Sequence, residues 1–311
     1  MGIYYLERQQ INEQKWNRCI ASNPLTESLF AYVGYLDIAC DNWSALVLDD
    51  YVSVMPLPWR KKWGIHYVYP PFFLPRLGIF GKEIDANSLL LWVKAIPNIF
   101  KWIDIVLHEH QDVSAWNETK ILHKTYNLPC SRPYQEIRKA YSQNHKRNCQ
   151  KASRENWVIS NEFSFEEAIF LFKNNQAKQF KVAYKSVDYK RLLHLLTYLQ
   201  QQQQLELWGV FDDEGNMLAS AFFPFLNGKY YFLFSGRNME DQTNKAMFFL
   251  IDQFIQNHAE QNISLDLTSN HPGIARFYAG FSANEKLFYQ LTISRLNFIS
   301  QTLFTLYRKL R

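Results

Sequence analysis

The chain has 311 residues, 47% of them apolar and 16% aromatic, and a formal net charge of +5. That length favours two domains of roughly 150 residues, and aromatics gathered in short strand-like runs favour an α/β or α+β fold over a helical bundle. Cys19, Cys40, Cys130 and Cys149 lack metal-ligand spacing, no apolar run reaches the roughly 18 residues of a membrane span, and no leader pattern opens the chain, so a cytoplasmic protein with reduced thiols and no metal is expected.

In chain order, Ile11 to Ser22 reads as a helix with Ile11, Trp16, Cys19 and Ile20 on one side and Asn23-Pro24 as its stop. Trp43 to Leu48 and Tyr51 to Leu57 flank Asp49-Asp50 and predict a hairpin. Pro58 to Gly64 is expected to be a loop carrying Arg60, Lys61 and Lys62 between Trp59 and Trp63. It serves either as a solvated turn with Trp anchors or as a clamp on an anionic or sugar-like ligand. Ile65 to Tyr69 reads as a strand ended by Pro70-Pro71, Phe72 to Phe80 as an irregular loop, Ala86 to Phe100 as a helix that Pro97 can interrupt, and Ile103 to Leu107 as a strand. His108-Glu109-His110 lacks the HExxH spacing and a third ligand, which argues against a metal site.

The excess charge is local. Arg132, Arg138, Lys139, Lys146, Arg147, Lys151 and Arg154 stand against the single acid Glu136, a balance of +6 that leaves the rest of the chain at −1. The segment reads as two helical turns, a break near Ser142 and a second helix that Ser142 can cap. Free backbone N–H groups at that helix start, beside Lys146 and Arg147, make an anion site, with an ordinary exposed cationic helix as the alternative. Ser164 with Glu167 forms a capping box. Leu192 to Leu199 marks a helix, and Leu205 to Phe211 and Met217 to Phe225 form a hairpin around Asp212 to Asn216.

From Asn227-Gly228 the chain enters Tyr230 to Phe234, a predicted strand that stops at Ser235-Gly236. A polar loop, an apolar helix from Ala246 to Ile255, a strand from Ile263 to Leu267, a short helix and a last strand follow. Asp266 lies near the C-terminal end of its strand, where open α/β sheets bind ligands, so an active site is expected between Ser235 and Phe277.

That order of elements resembles the GNAT acyltransferases. Several stretches are similar to the FemAB-like branch, in which two such domains stand in tandem. They are Tyr141-Ser142 with Asn144, Lys146-Arg147-Asn148 and Lys151-Ala152; Trp63-Gly64 leading to Tyr67, Tyr69, Pro70 and Pro71; Leu77-Gly78-Ile79; and Gly273 to Tyr278 through Gly280-Phe281. The resemblance covers most of the chain and its motifs are short. It implies two GNAT-like domains, residues 1–135 and 136–311, each a mixed, mostly antiparallel sheet flanked by helices, with 296–311 returning to the first. The implied activity is acyl or aminoacyl transfer to an amine or sugar of a cell-envelope or polysaccharide precursor. The implied donor is an acyl-coenzyme A or aminoacyl-tRNA, in a cleft between the domains bordered by the basic segment.

Within that reading Asp266 or a water accepts the amine proton, and backbone N–H groups near Ser235 stabilise the oxyanion. Ser142, Lys146, Arg147, Arg237, Asn270, Arg276, Trp63 and Tyr67 are the expected contacts to substrate or an anion. Two departures stand out. The loop Arg237 to Lys245 has no glycine after Gly236 and carries Glu240 and Asp241, with Asn244 where a small residue is expected, so coenzyme A should bind weakly. The strand holding Asp266 runs into Thr268-Ser269 instead of an acid and a glycine. A catalytically silent tandem module that binds an anionic glycan precursor or RNA is therefore the second reading.

Overall fold

A computed structural model describes residues 2–82, 88–176, 184–238, 245–268, 272–297, 301–302 and 304. Contacts divide the chain into a first unit, residues 1–123 with 287–311, and a second, residues 124–286. The chain passes between them inside two long strands, β7 (Lys120–Pro129) and β14 (Asn284–Ser294).

The first unit begins with β1 (Ile3–Glu7), α1 (Glu13–Ala21), α2 (Val33–Ala39), β2 (Asn42–Leu48) and β3 (Ser53–Lys62). It continues with β4 (Ile65–Val68), β5 (Phe80–Gly81), α3 (Ser88–Ala95), β6 (Phe100–Val106) and β7 (Lys120–Pro129). Asn12 caps α1 by accepting from the Lys15 N–H at 3.0 Å, and the helix buries Trp16, Cys19 and Ile20. The strands lie in the order β1-β2-β3-β4-β6-β14, with β5 beside β3. Only β4 and β6 among these pairs run parallel. Their core gathers Leu46, Leu57, Trp92, Phe100, Ile103 and Leu291.

Pro58 to Lys62 is strand where a loop is expected. β3 runs to Lys62 and β4 starts at Ile65, so the turn is only Trp63-Gly64, with φ of 49° and 78°. Two successive positive φ values match the twist of a two-residue hairpin, and this lets Arg60, Lys61 and Lys62 remain paired in the sheet. Helix α3 ends at Ala95, short of Phe100, because Pro97 interrupts it.

His108 is 6% exposed. Its Nε2–H donates to the Ile79 carbonyl at 2.8 Å, and its Nδ1 accepts from the His110 N–H at 3.2 Å. A proton on Nδ1 would face that N–H donor, and burial pushes the imidazole down to about 4. The folded value lies below the unfolded one, so this stabilisation is complete above pH 6.5 and is lost as pH falls towards 4. The loss is about 3 kcal/mol for a shift of that size. His108→Gln keeps one donor and one acceptor but cannot be protonated. Its urea stability should change less between pH 7 and 4.5 than that of the parent; equal changes would assign the acid sensitivity elsewhere.

The second unit holds α4 (Tyr134–Lys139), α5 (Gln143–Ala152), β8 (Val158–Ser160), α6 (Phe165–Leu171), α7 (Ser186–Gln201), β9 (Leu205–Phe211) and β10 (Met217–Leu226). β11 (Lys229–Tyr231), β12 (Phe234–Arg237), α8 (Ala246–Asn257), β13 (Ser264–Thr268), α9 (Pro272–Ala279) and β14 (Asn284–Ser294) follow. Its strand order is β7-β13-β11-β10-β9-β8, with β12 beside β10, and β11 runs parallel to β13. The core around Leu128, Trp208, Phe223, Leu250, Phe254 and Leu265 packs α8 against the sheet.

The expected boundary between 135 and 136 falls inside α4. Phe304, in the C-terminal stretch, is 1% exposed and packs its ring 5.1 Å from Tyr67 and 5.6 Å from Trp102 within the first unit.

Candidate functional site

The predicted strand Tyr230 to Phe234 is two strands. β11 ends at Tyr231, the Leu233 N–H folds back on the Tyr231 carbonyl at 3.0 Å, and β12 then runs through Ser235-Gly236, the expected stop, to Arg237. The Phe232 N–H still donates to the Asp266 carbonyl at 2.9 Å, but β12 pairs only with β10. The sheet therefore forks between β12 and the end of β13.

The Asn238 N–H donates to the Leu218 carbonyl at 2.9 Å. Antiparallel hydrogen bonds alternate along a strand, so Gly236 and Phe234 face β10 through the backbone while Ser235 turns its N–H away from β10, towards the fork. Phe234 lies 4.3 Å from Phe172 by ring centroids, and a Cβ on Gly236 would meet the Phe172 backbone N at 3.0 Å. α6 and the turn after it thus back one face of β12. Ser235 and Arg237 put their side chains on the other.

Asp266 is the middle residue of β13, two residues short of its end. Its Oδ1 accepts from the Thr125 hydroxyl at 2.7 Å and the Thr268 hydroxyl at 2.6 Å. Tyr231 and Asn127 are its cross-strand partners, so Tyr231, Asp266 and Asn127 form one row across β11, β13 and β7. The charge of Asp266 helps burial to raise the Tyr278 phenol well above its usual range. Thr125 and Asn127 were not singled out by the sequence. Their signal is the polar–apolar alternation Thr125-Tyr126-Asn127-Leu128, which marks one polar strand face but not its partner.

The basic segment folds as expected, with Ser142 capping α5. The His145 N–H donates to Ser142 Oγ at 3.3 Å, and that hydroxyl donates to His145 Nδ1 at 2.9 Å. His145 Nε2–H in turn donates to the Phe277 carbonyl at 2.8 Å. The Lys146 ammonium sits on the Lys139 carbonyl at 2.6 Å, closing the end of α4, while Arg147 is exposed and reaches Asn144 Oδ1 at 3.2 Å. Arg276 is exposed on α9. No hydrogen bond among the described residues joins Lys146 or Arg147 to Ser235 or Asp266.

Trp63 is 64% exposed at its hairpin turn, whereas Tyr67 is 4% exposed in an aromatic cluster with Tyr69, Trp102 and Phe304. The structure thus gives Tyr67 a packing role. Asn270, and Glu240, Asp241 and Asn244 of the loop read against coenzyme A, lie outside the described residues.

The first unit repeats the fork. β4 and β6 pair in parallel through Val68 and Ile103, then Pro70-Pro71 carry the chain away while β6 continues to Asp104. A small cleft with room for about one water opens there, lined by Pro56, Pro58, Tyr69, Pro70, Pro71 and Asp104 among others. Asp104 is 1% exposed and accepts from Gln290 Nε2, whose Oε1 accepts from His123 Nε2–H at 2.9 Å. Prolines bring no N–H to the wall, so this cleft suits a hydrogen-bond donor. Among the described residues no group of three His, Cys, Asp or Glu could hold a metal ion, and no helix is long and apolar enough to cross a membrane.

No protein-family profile matches the sequence, and no curated protein matches it. Solved structures do. FemX aligns over 98% of this chain and 99% of its own, with a TM-score of 0.65 at 12% identity. A tandem GNAT protein from the clavulanic acid biosynthesis pathway aligns over 95% and 99%, with a TM-score of 0.56 at 9% identity. L-PGS from Bacillus licheniformis aligns over 96% of each chain, with a TM-score of 0.52 at 12% identity. The chain has a mixed α/β fold of the GNAT and FemX type.

Proposed function

We propose that the chain transfers an acyl or aminoacyl group to an amine or sugar of a cell-envelope or polysaccharide precursor. The observation that carries this reading is the fork in the second unit, with the Ser235 N–H turned outward on one arm and Asp266 on the other, where the Phe232 N–H makes the last bond to it. The acyl carbonyl of an aminoacyl-tRNA or acyl-coenzyme A would lie in the fork. An ammonium acceptor gives one proton to Asp266, and the nitrogen lone pair then attacks the carbonyl carbon. The C–N bond forms, the oxyanion rests on the Ser235 N–H, and the ester C–O or thioester C–S bond breaks with its electron pair on oxygen or sulfur. The leaving group takes the second nitrogen proton. Ser142, Lys146, Arg147, Arg237 and Arg276, all in the second unit, serve the anionic part of donor or precursor.

A second reading, a silent module that binds an anionic glycan precursor or RNA, is favoured by the two threonine hydroxyls on Asp266 Oδ1, which suit a purely structural carboxylate. Ser235→Pro separates the two. Its N–H is not spent on β10, and proline is tolerated at such a position in a strand, so the fold should persist. Loss of one oxyanion donor should lower kcat by about 100- to 1000-fold. Donor binding that is unaltered, with no transfer in either protein, would support the silent module.

A further inference from the structure

The acceptor in the proposed reaction could carry an amine or a sugar hydroxyl, and the polar row beside Asp266 distinguishes them. Asn127 Oδ1 is buried and has no hydrogen-bond partner. Buried polar atoms are paired in the great majority of cases, so an orphaned acceptor asks for a donor that the chain does not supply. Asn127 is the direct cross-strand partner of Asp266. Opposed residues on one face have their Cβ atoms about 4.5–5.5 Å apart, a separation that one small group lying between the two side chains can bridge. Asn127, Asp266 and Thr268 are each half-buried.

We infer that Asn127 Oδ1 and the Asp266 carboxylate together hold the primary ammonium of the acyl acceptor. This inference rests on the transferase reading of the same fork and narrows it. A hydroxyl has one hydrogen and cannot donate to Asn127 while giving its proton to Asp266. A primary ammonium has three. One goes to Asn127 and fixes the nitrogen, one passes to Asp266, and the third leaves with the departing oxygen or sulfur after the C–N bond has formed. Asn127 thereby selects nitrogen over oxygen and orients its lone pair, without itself taking a proton.

The test begins with binding alone, on the full chain. Methylammonium chloride is titrated against the 15N-labelled protein, following the Asn127 side-chain amide and backbone resonances around Thr125 to Asn127. Trimethylammonium and methanol are the controls. Methylammonium should shift these signals, Asn127→Leu should weaken it about tenfold or more, and both controls should fail. Trimethylammonium binding as well as methylammonium would leave charge as the sole determinant and overturn the role of Asn127.

Kinetics then separate failure of this inference from failure of the underlying reading. With a transferable donor, Asn127→Leu should raise the KM of the amine about tenfold while Asp266→Asn acts on kcat. Transfer to a hydroxyl acceptor at an equal or higher kcat/KM would refute amine selection and leave the transferase reading intact. Absence of transfer to any acceptor, together with a Ser235→Pro variant that matches the parent, would refute the transferase reading itself.

Discussion

Replacing Gly280 with alanine should unfold the second unit more readily than any single truncation on its surface. A Cβ at this position falls well inside van der Waals contact with the His145 ring. That ring cannot step aside: it is 4% exposed, bonded at both nitrogens, and packed against Phe248 at 5.0 Å and Phe281 at 4.6 Å by centroids. The Gly280 carbonyl also accepts from the Ser142 N–H at 2.9 Å, so moving the backbone would loosen the start of α5. Overpacking typically costs 1–3 kcal/mol, and with hydrogen bonds lost as well we expect about 3 kcal/mol or more. His145→Ala removes the obstacle. In a double-mutant cycle by urea unfolding, the Gly280→Ala, His145→Ala pair should be less destabilised than the sum of the single variants. Additive effects would show that the His145 ring is not the obstacle.

The largest effect on activity is expected at Asp266. Asp266→Asn keeps the shape and an oxygen for the Thr125 or Thr268 hydroxyl but removes the charge that takes the amine proton in the proposed reaction. General base catalysis is worth about 100- to 10,000-fold, so kcat should fall by that order while the thermal midpoint moves little. Single-turnover transfer with pre-bound donor reads the chemical step directly. A rate within twofold of the parent would make Asp266 a structural carboxylate, and Thr125→Val would then be the more damaging change to stability.

Much of this architecture is legible in the sequence because it is written locally. The hairpin turn at Asn227-Gly228, the Ser164 capping box and the buried stripe of α8 each follow from a few neighbouring residues. The buried face of α5, His145, Asn148, Cys149 and Ala152, shows the same i, i+3, i+4, i+7 spacing. It explains why a segment read as a cationic anion site also contains the wedge that Gly280 accommodates.

The fork was less legible. Tyr230 to Phe234 is apolar throughout and has neither glycine nor proline at Phe232-Leu233, so nothing local announces that one strand becomes two. The partners of Asp266 are non-local: Thr125 reaches it from 141 residues away along the chain. Asn127 becomes its neighbour only when β7 pairs with β13. Tyr67 illustrates the converse. An aromatic beside a basic turn suits a ligand contact, and only packing against Trp102 and Phe304 makes it a core residue.

The most direct test of the central claim is amide formation. The purified chain is incubated with a panel of radiolabelled aminoacyl-tRNAs and acyl-coenzyme A donors and an excess of primary amine, and the label is followed into a base-stable amide. The account predicts transfer from at least one donor, reduced about 100-fold or more by Ser235→Pro and by Asp266→Asn. Donors that bind and shift the thermal midpoint, yet yield no amide above the uncatalysed rate, would contradict it.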